Sequence, residues 1–235
     1  MIDAIEAMWR VRRTDILNSN EYPQELWEMV EKFAEELLSK GRPEFDVPHT
    51  HGVVNWAFKL STALNEQIAN GEIDEKELID FRVIITAAWL HDIGYYGQFK
   101  EIADLAQVFD KKAMHVIVGA QMAKEFLEKN ASTFLSVAQI DEIVHLVRVH
   151  DDLDNISTML EIILAESDSL GMLDTDGVEP TFKGEEALGF PDIPRFRKRI
   201  SLFKTKHGIE SLPKVINKFR QFVINRDFNG IDPRN

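Results

Sequence analysis

The most constraining feature of the chain is the stretch 78–90. It is apolar nearly all round a helix: Leu78, Ile79, Phe81, Val83, Ile84, Ile85, Ala87, Ala88, Trp89 and Leu90. A helix without a polar face is buried on every side, so the fold has to be built around this one. The stretch ends on His91-Asp92, with Gly94 two residues on. The helix therefore carries an imidazole and a carboxylate into the core or against it. A carboxylate buried without a counter-charge is costly. A divalent cation answers that cost, and so would an arginine, but the nearest, Arg82, lies more than two turns back. Taken alone, the pair also reads as a helix-ending His bonded to backbone, with Asp92 as a turn residue.

The rest of the pattern is helical as well. Apolar spacing of three and four predicts helices at 2–19, 23–40, 48–70, 74–91, 111–129, 136–150, 156–172, 195–207 and 209–225. Segment 95–110 reads as irregular with one short helical piece, and 174–194 as a loop. Strand-like alternation is scarce, there is no internal repeat, and twelve Gly with eight Pro in 235 residues suits long helices. The expectation is a single all-α domain over 1–235. At 44% hydrophobic residues the chain can bury a real core. Its most apolar run, 83–90, is eight residues, far short of the ~20 of a membrane span. Asp3 and Glu6 sit where a signal peptide is basic and then apolar. A cytoplasmic protein without membrane contact is expected.

Zero Cys excludes disulfides, thiolate metal sites and a cysteine nucleophile. Phosphate loops, dinucleotide fingerprints, serine elbows and H-E-x-x-H are absent too. Chemistry has to come from His and Asp placed by helices. His115 shares a stripe with Gly119, Met122 and Phe126, and His150 continues Ile140, Ile143 and Val147. Asp168 follows Leu164 by four, and His49 aligns with Val53, Ala57 and Leu60. Four metal-competent side chains thus point inward from four helices, and with His91-Asp92 they are better explained by a shared metal site than by separate core residues. His145 lies ~140° around its helix from His150 and reads as a surface residue. His207, in the basic tail, reads the same way. His51 faces away from His49 in a helix but would reach the site if the helix began late.

The order His … His-Asp … His … His … Asp on successive helices resembles the HD superfamily of metal-dependent phosphohydrolases. The pieces that carry it are H-T-H-G-V-V-N-W-A at 49–57, A-W-L-H-D-I-G at 88–94, H-V-I-V-G-A at 115–120, V-R-V-H-D at 147–151 and S-D-S-L-G at 167–171. The family's first segment has Val at +4 and Ala at +8 from its His. Val53 and Ala57 fit His49, whereas His51 would put Asn55 and Lys59 there. His49 is preferred and His51 is its rival.

The resemblance implies an HD-like helical bundle over about 45–172, with extra N-terminal helices in 1–43 and basic helices in 195–226. It implies that His49, His91, Asp92 and Asp168 are ligands of one divalent metal. His115 and His150 would be ligands of a second, with Asp92 bridging and catalytic. The ion is left open among Mn, Fe, Mg, Co, Ni and Zn. The implied activity is a phosphomonoesterase or phosphodiesterase on a nucleotide-like phosphoester, through a metal-activated water. Lys112, three before His115, is the candidate substrate-phosphate residue, with Lys111 as rival. A diiron oxygenase on the same scaffold and a non-catalytic nucleotide-sensing module are the alternatives. The chain departs from the cyclic-dinucleotide branch, which carries Lys after His-Asp-Ile-Gly and a G-Y-P-like signature. It departs also from the alarmone-hydrolase branch, which is acidic after its His-Asp pair. No subfamily follows.

Charge is uneven. Segment 195–226 holds ten Lys or Arg against one acid, Glu210, although the chain as a whole carries −13. Two readings of this basic face are open. It lies against the acidic remainder of the chain or a second subunit, which would make a homodimer; or it guides an oligonucleotide to the site. The first is preferred.

Overall fold

The computed structural model describes residues 14, 16–17, 22–73, 78–98, 105–176, 179–180 and 182–234; the side chains of 43, 105–110 and 112 are outside that description. All regular structure among these residues is helical, with no strand. The helices are α1 (Gln24–Leu38), α2 (Pro43–Ala69), α3 (Phe81–Leu90), α4 (Leu105–Asn130), α5 (Val137–Val149), α6 (Met159–Leu173), α7 (Gly184–Gly189), α8 (Pro194–Ile200) and α9 (Lys206–Asp227). Short 3-10 turns, Ile93–Tyr95 and Phe190–Asp192, follow α3 and α7. The helix expected at 2–19 falls outside the described residues except at 14, 16 and 17.

Helix α3 sits at the centre, in contact with α1, α2, α5 and α6. All of it is buried except Arg82. Its one internal hydroxyl, Thr86, is satisfied by the Tyr22 hydroxyl at 2.7 Å. Trp89 meets Trp27 of α1 edge to face, with ring centroids 5.3 Å apart. The helix begins later than its apolar pattern suggests. Asn65 of α2 clamps the chain just before it, accepting from the Ile79 N–H (2.7 Å) and donating to the Ile79 carbonyl (3.1 Å). Those bonds replace a helical turn, Leu78 is 61% exposed, and Asp80 caps the new start through the Arg82 N–H. The expected start at 74 is corrected to 81.

Helix α2 shows the opposite error: it begins at residue 43, with Pro48 inside it. The Asp46 carboxylate accepts from the Arg42 backbone N–H (2.9 Å) and its guanidinium (2.5 Å), which fixes the extra turn. Pro48 leaves the Glu44 carbonyl without its helical donor, but Glu44 is exposed and water can serve it. Helices α5 and α6 start close to expectation, each on a capping box: Ser136 with Gln139, and Thr158 with Glu161. Helix α4 starts earlier than the predicted 111, at 105.

The predicted loop 174–194 is not all loop. It contains α7 and the second 3-10 turn, whose Leu188 and Phe190 join Phe196, Phe219 and Val223 in a small apolar cluster. The C-terminal helices also divide differently, with a break at 201–205. There Glu166 of α6 accepts from the Lys204 N–H (2.6 Å), the Thr205 N–H (3.0 Å) and the Thr205 hydroxyl. Among the described residues no helix is long and apolar enough to cross a membrane.

Candidate metal centre

Five helices deliver six side chains to one place. His49 comes from α2, His91 and Asp92 from the end of α3, His115 from α4, His150 from the end of α5 and Asp168 from α6. All six are buried. Asp92 is the hub. Its Oδ2 lies 3.4 Å from His91 Nε2 and 3.7 Å from His49 Nε2. Its Oδ1 lies 3.3 Å from His115 Nε2 and 3.4 Å from His150 Nε2. Asp168 Oδ1 stands 3.2 Å from His49 Nε2. Each Asp92 oxygen thus faces its own pair of imidazoles.

Helix ends set the orientation of two of these rings. An α-helix leaves its last carbonyls without partners. His91 Nδ1 takes the Ala88 carbonyl at 2.8 Å, and His150 Nδ1 takes the Val147 carbonyl at 2.7 Å. A carbonyl only accepts, so both Nδ1 atoms carry a proton. In the neutral ring Nε2 then bears a lone pair. His91 Nε2 lies 3.3 Å from His49 Nε2, and His115 Nε2 lies 3.2 Å from His150 Nε2. Each pair thus brings the Nε2 lone pair of one ring up to its neighbour's Nε2 beside the Asp92 carboxylate, where a cation would be shared among them.

Electrostatics repeats the point. Burial works against charge on His91, yet Asp92 beside it pushes the imidazole up to about 9. Burial opposes charge on Asp92 too, but His91, then His115 and His150, hold its carboxyl well below the usual range. Burial keeps His115 below its ordinary value, where its ring stacks on Tyr95 with centroids 4.1 Å apart. The site attracts positive charge to its centre. Neutral imidazole and carboxylate are the usual donors for divalent first-row metals. The sets His49, His91, Asp92 and Asp92, His115, His150 each have donor atoms close enough together to hold an ion.

His51 is not in this group. Its Nε2 bonds Glu35 of α1 at 2.8 Å, and its ring lies edge-on to Trp89. Because α2 starts before both histidines, they point to different sides of one helix. That leaves His49 at the centre and removes His51 from it. Lys112 lies on α4, but its side chain is outside the described residues. His145 bonds the Glu161 carboxylate at 2.7 Å and is half exposed. His207 lies near Trp56.

Several residues that sequence reasoning did not assign also reach the site. Arg199 of α8 is 3% exposed. Its Nη1 donates to Asp168 Oδ2 at 2.6 Å and its Nη2 to Asp151. Burial opposes its charge, but the two carboxylates more than compensate and raise its already high pKa. Asp168 is lowered in turn: Arg199 and His49 overcome its burial. Asp151 immediately follows His150 in the V-R-V-H-D piece, and that adjacency was its signal. Arg199 had a fainter one: it shares a stripe with Phe196 and Phe203, at spacings of three and four, and so faces inward within a run of basic residues.

A cavity of about 70 Å³ opens onto this cluster. Its floor is His49, Asp92 and Asp168; its walls include Phe45, Tyr95, Phe182, Phe190 and Phe196, with Arg42, Arg195 and Arg199.

The fold and site define an all-helical protein with a buried His/Asp cluster fit for divalent metal. The HD domain family model matches residues 48–173, more than half of the chain, and the chain belongs to that family. Its members are in the main metal-dependent hydrolases. No curated protein and no solved structure gave a match.

Proposed function

We propose that this protein is a metal-dependent phosphohydrolase, cleaving a phosphoester, nucleotide-like in the first instance. One observation carries the reading: four imidazole Nε2 atoms converge on the two oxygens of Asp92, with two of their lone pairs fixed by helix-end carbonyls. His49, His91, Asp92 and Asp168 would hold one divalent ion. His115 and His150 would hold a second, with Asp92 between them. When bound, such ions lower the pKa of a coordinated water toward ~7 and polarise a phosphoryl oxygen.

The chain's own residues do the rest. The Ala88 and Val147 carbonyls hold His91 and His150 in the tautomer that presents Nε2. Arg199 fixes Asp168 from its far oxygen, so Oδ1 stays turned to His49. Tyr95 holds the plane of His115 by stacking. Arg195 in the cavity wall, whose buried Nε has no acceptor among the described residues, offers a donor to an anionic substrate.

Metal analysis of protein purified without chelators, followed by a panel of phosphomonoesters, phosphodiesters and nucleotides, tests the proposal. The expected result is stoichiometric divalent metal and metal-dependent turnover. Full metal content and undiminished activity in Asp92→Ala would sink it. Tight nucleotide binding without turnover across several metals would make the protein a sensor instead.

A further inference from the structure

Six ionised side chains line the cavity: Asp92, Asp151 and Asp168 against Arg42, Arg195 and Arg199. They balance. Asp46, paired with Arg42 from behind, brings the sum to one negative charge. A single divalent cation at the His/Asp cluster makes the lining positive, and a second makes it more so. Buried charge of one sign calls for a counter-ion, so what enters the cavity after metal should be an anion.

Arg195 is the group poised to receive it. Its Nη2 is held by Asp151, 3.2 Å from Oδ1 and 3.3 Å from the backbone carbonyl. Its Nε is buried and has no acceptor among the described residues. An unsatisfied donor of this kind is costly, and a guanidinium edge suits phosphate. Arg199, beside it, is already committed to Asp151 and Asp168. The remaining wall is apolar, with Phe45, Phe182, Phe190 and Phe196. The cavity, about 70 Å³, is well under the ~300 Å³ of small ligand pockets.

We propose that Arg195 is the substrate-binding residue for a phosphate group, in a subsite that takes a small phosphomonoester with its apolar part against the phenylalanine wall. This rests on the phosphohydrolase reading and names its substrate class. Arg195 lies outside the matched HD segment, so the subsite is a contribution of the C-terminal helices to the shared core.

The test is calorimetric titration of inorganic phosphate and of phenyl phosphate into the full chain, with and without Mn²⁺. Wild type, Arg195→Met, Arg195→Lys and Arg220→Met are compared. Arg220 pairs with Asp192 and does not line the cavity, so its variant controls for loss of one positive charge. The expected result is phenyl phosphate binding that needs Mn²⁺ and exceeds that of phosphate. Its Kd rises tenfold or more in Arg195→Met, less in Arg195→Lys, and stays within twofold in Arg220→Met, with Mn²⁺ affinity unchanged throughout. Arg195→Met binding within twofold of wild type, or no saturable binding of either anion by wild type, overturns the proposal. If wild type binds through Arg195 but hydrolyses no phosphoester, the subsite stands and the hydrolase reading falls. If it hydrolyses phosphoesters with Kd and KM indifferent to Arg195, the hydrolase reading stands and the subsite falls.

Discussion

Asp92 faces four imidazoles at 3.3–3.7 Å, one pair on each oxygen. Its replacement should therefore cost more than a single ligand. Asp92→Ala is expected to lose bound metal altogether, read by metal analysis after dialysis. His49→Ala should behave similarly, whereas His51→Ala should keep full metal content, because His51 is turned to Glu35. Glu161 supplies a prediction on pH. Burial raises its pKa, but the Ser157 and Thr158 N–H groups and His145 prevail and bring it to about 2. A depressed folded pKa contributes stability above the unfolded value, near 4.5, that is lost as pH falls toward 2. Glu161→Gln should flatten this part of the acid limb and cost ~1 kcal/mol at pH 6, in line with a lost cap interaction. Unfolding midpoints at pH 3, 4 and 6 would show it; an unchanged slope would count against it.

At the scale of elements, the site depends on helices that approach closely. A Cβ on Gly94 would stand 1.9 Å from the His115 carbonyl oxygen and 2.6 Å from the Gly119 nitrogen. Both are backbone, so the turn after α3 and the helix α4 would have to part. Gly94→Ala is expected to destabilise by ~3 kcal/mol or more and to pull His115 from Asp92, weakening metal binding as well. Gly171 of α6 plays the same part against α2: its Cβ would meet Val53 at 2.8 Å (Cγ2) and 3.0 Å (N). Gly171→Ala should cost ~1–3 kcal/mol, with His49 and Asp168 displaced from each other. Denaturant titration with parallel metal-binding isotherms measures both effects together.

At the scale of the molecule, the basic C-terminal segment is largely exposed, Arg199 being the one buried cation of 195–226, and several of its cations meet carboxylates. Arg195 and Arg199 engage Asp151, Lys198 pairs with Asp154, Lys218 with Asp176 and Arg220 with Asp192. Arg199 is the deepest of these ties between the C-terminal helices and the core. Arg199→Ala leaves Asp151 and Asp168 buried without their cation, a change that costs ~3–5 kcal/mol when a buried pair loses one partner. A divalent metal then has more negative charge to neutralise. The rise in melting temperature on adding Mn²⁺ should be larger in this variant than in wild type, since a ligand of the folded state stabilises by mass action. An equal or smaller rise would show that Arg199 does not offset Asp168.

Much of the molecule was legible in the residues themselves. The apolar girth of 78–90 made α3 the centre, and the stripes through His49, His115, His150 and Asp168 placed them inward, because helical period alone decides which side of a helix meets the core. Where that logic failed, a contact outside the apolar pattern decided the boundary: at a distance, Asn65 holding Ile79 out of α3 and Glu166 breaking the chain at 201–205, and within one turn, Arg42 and Asp46 starting α2 ahead of Pro48. The choice of His49 over His51 followed from the start of α2. By itself the sequence determined an all-helical protein with inward histidines and aspartates. Only the tertiary structure decided that Arg199 and Asp151 join them, because a stripe can turn Arg199 inward without saying which carboxylates, 31 and 48 residues away, it will meet. They are found by the energy of leaving a buried carboxylate alone.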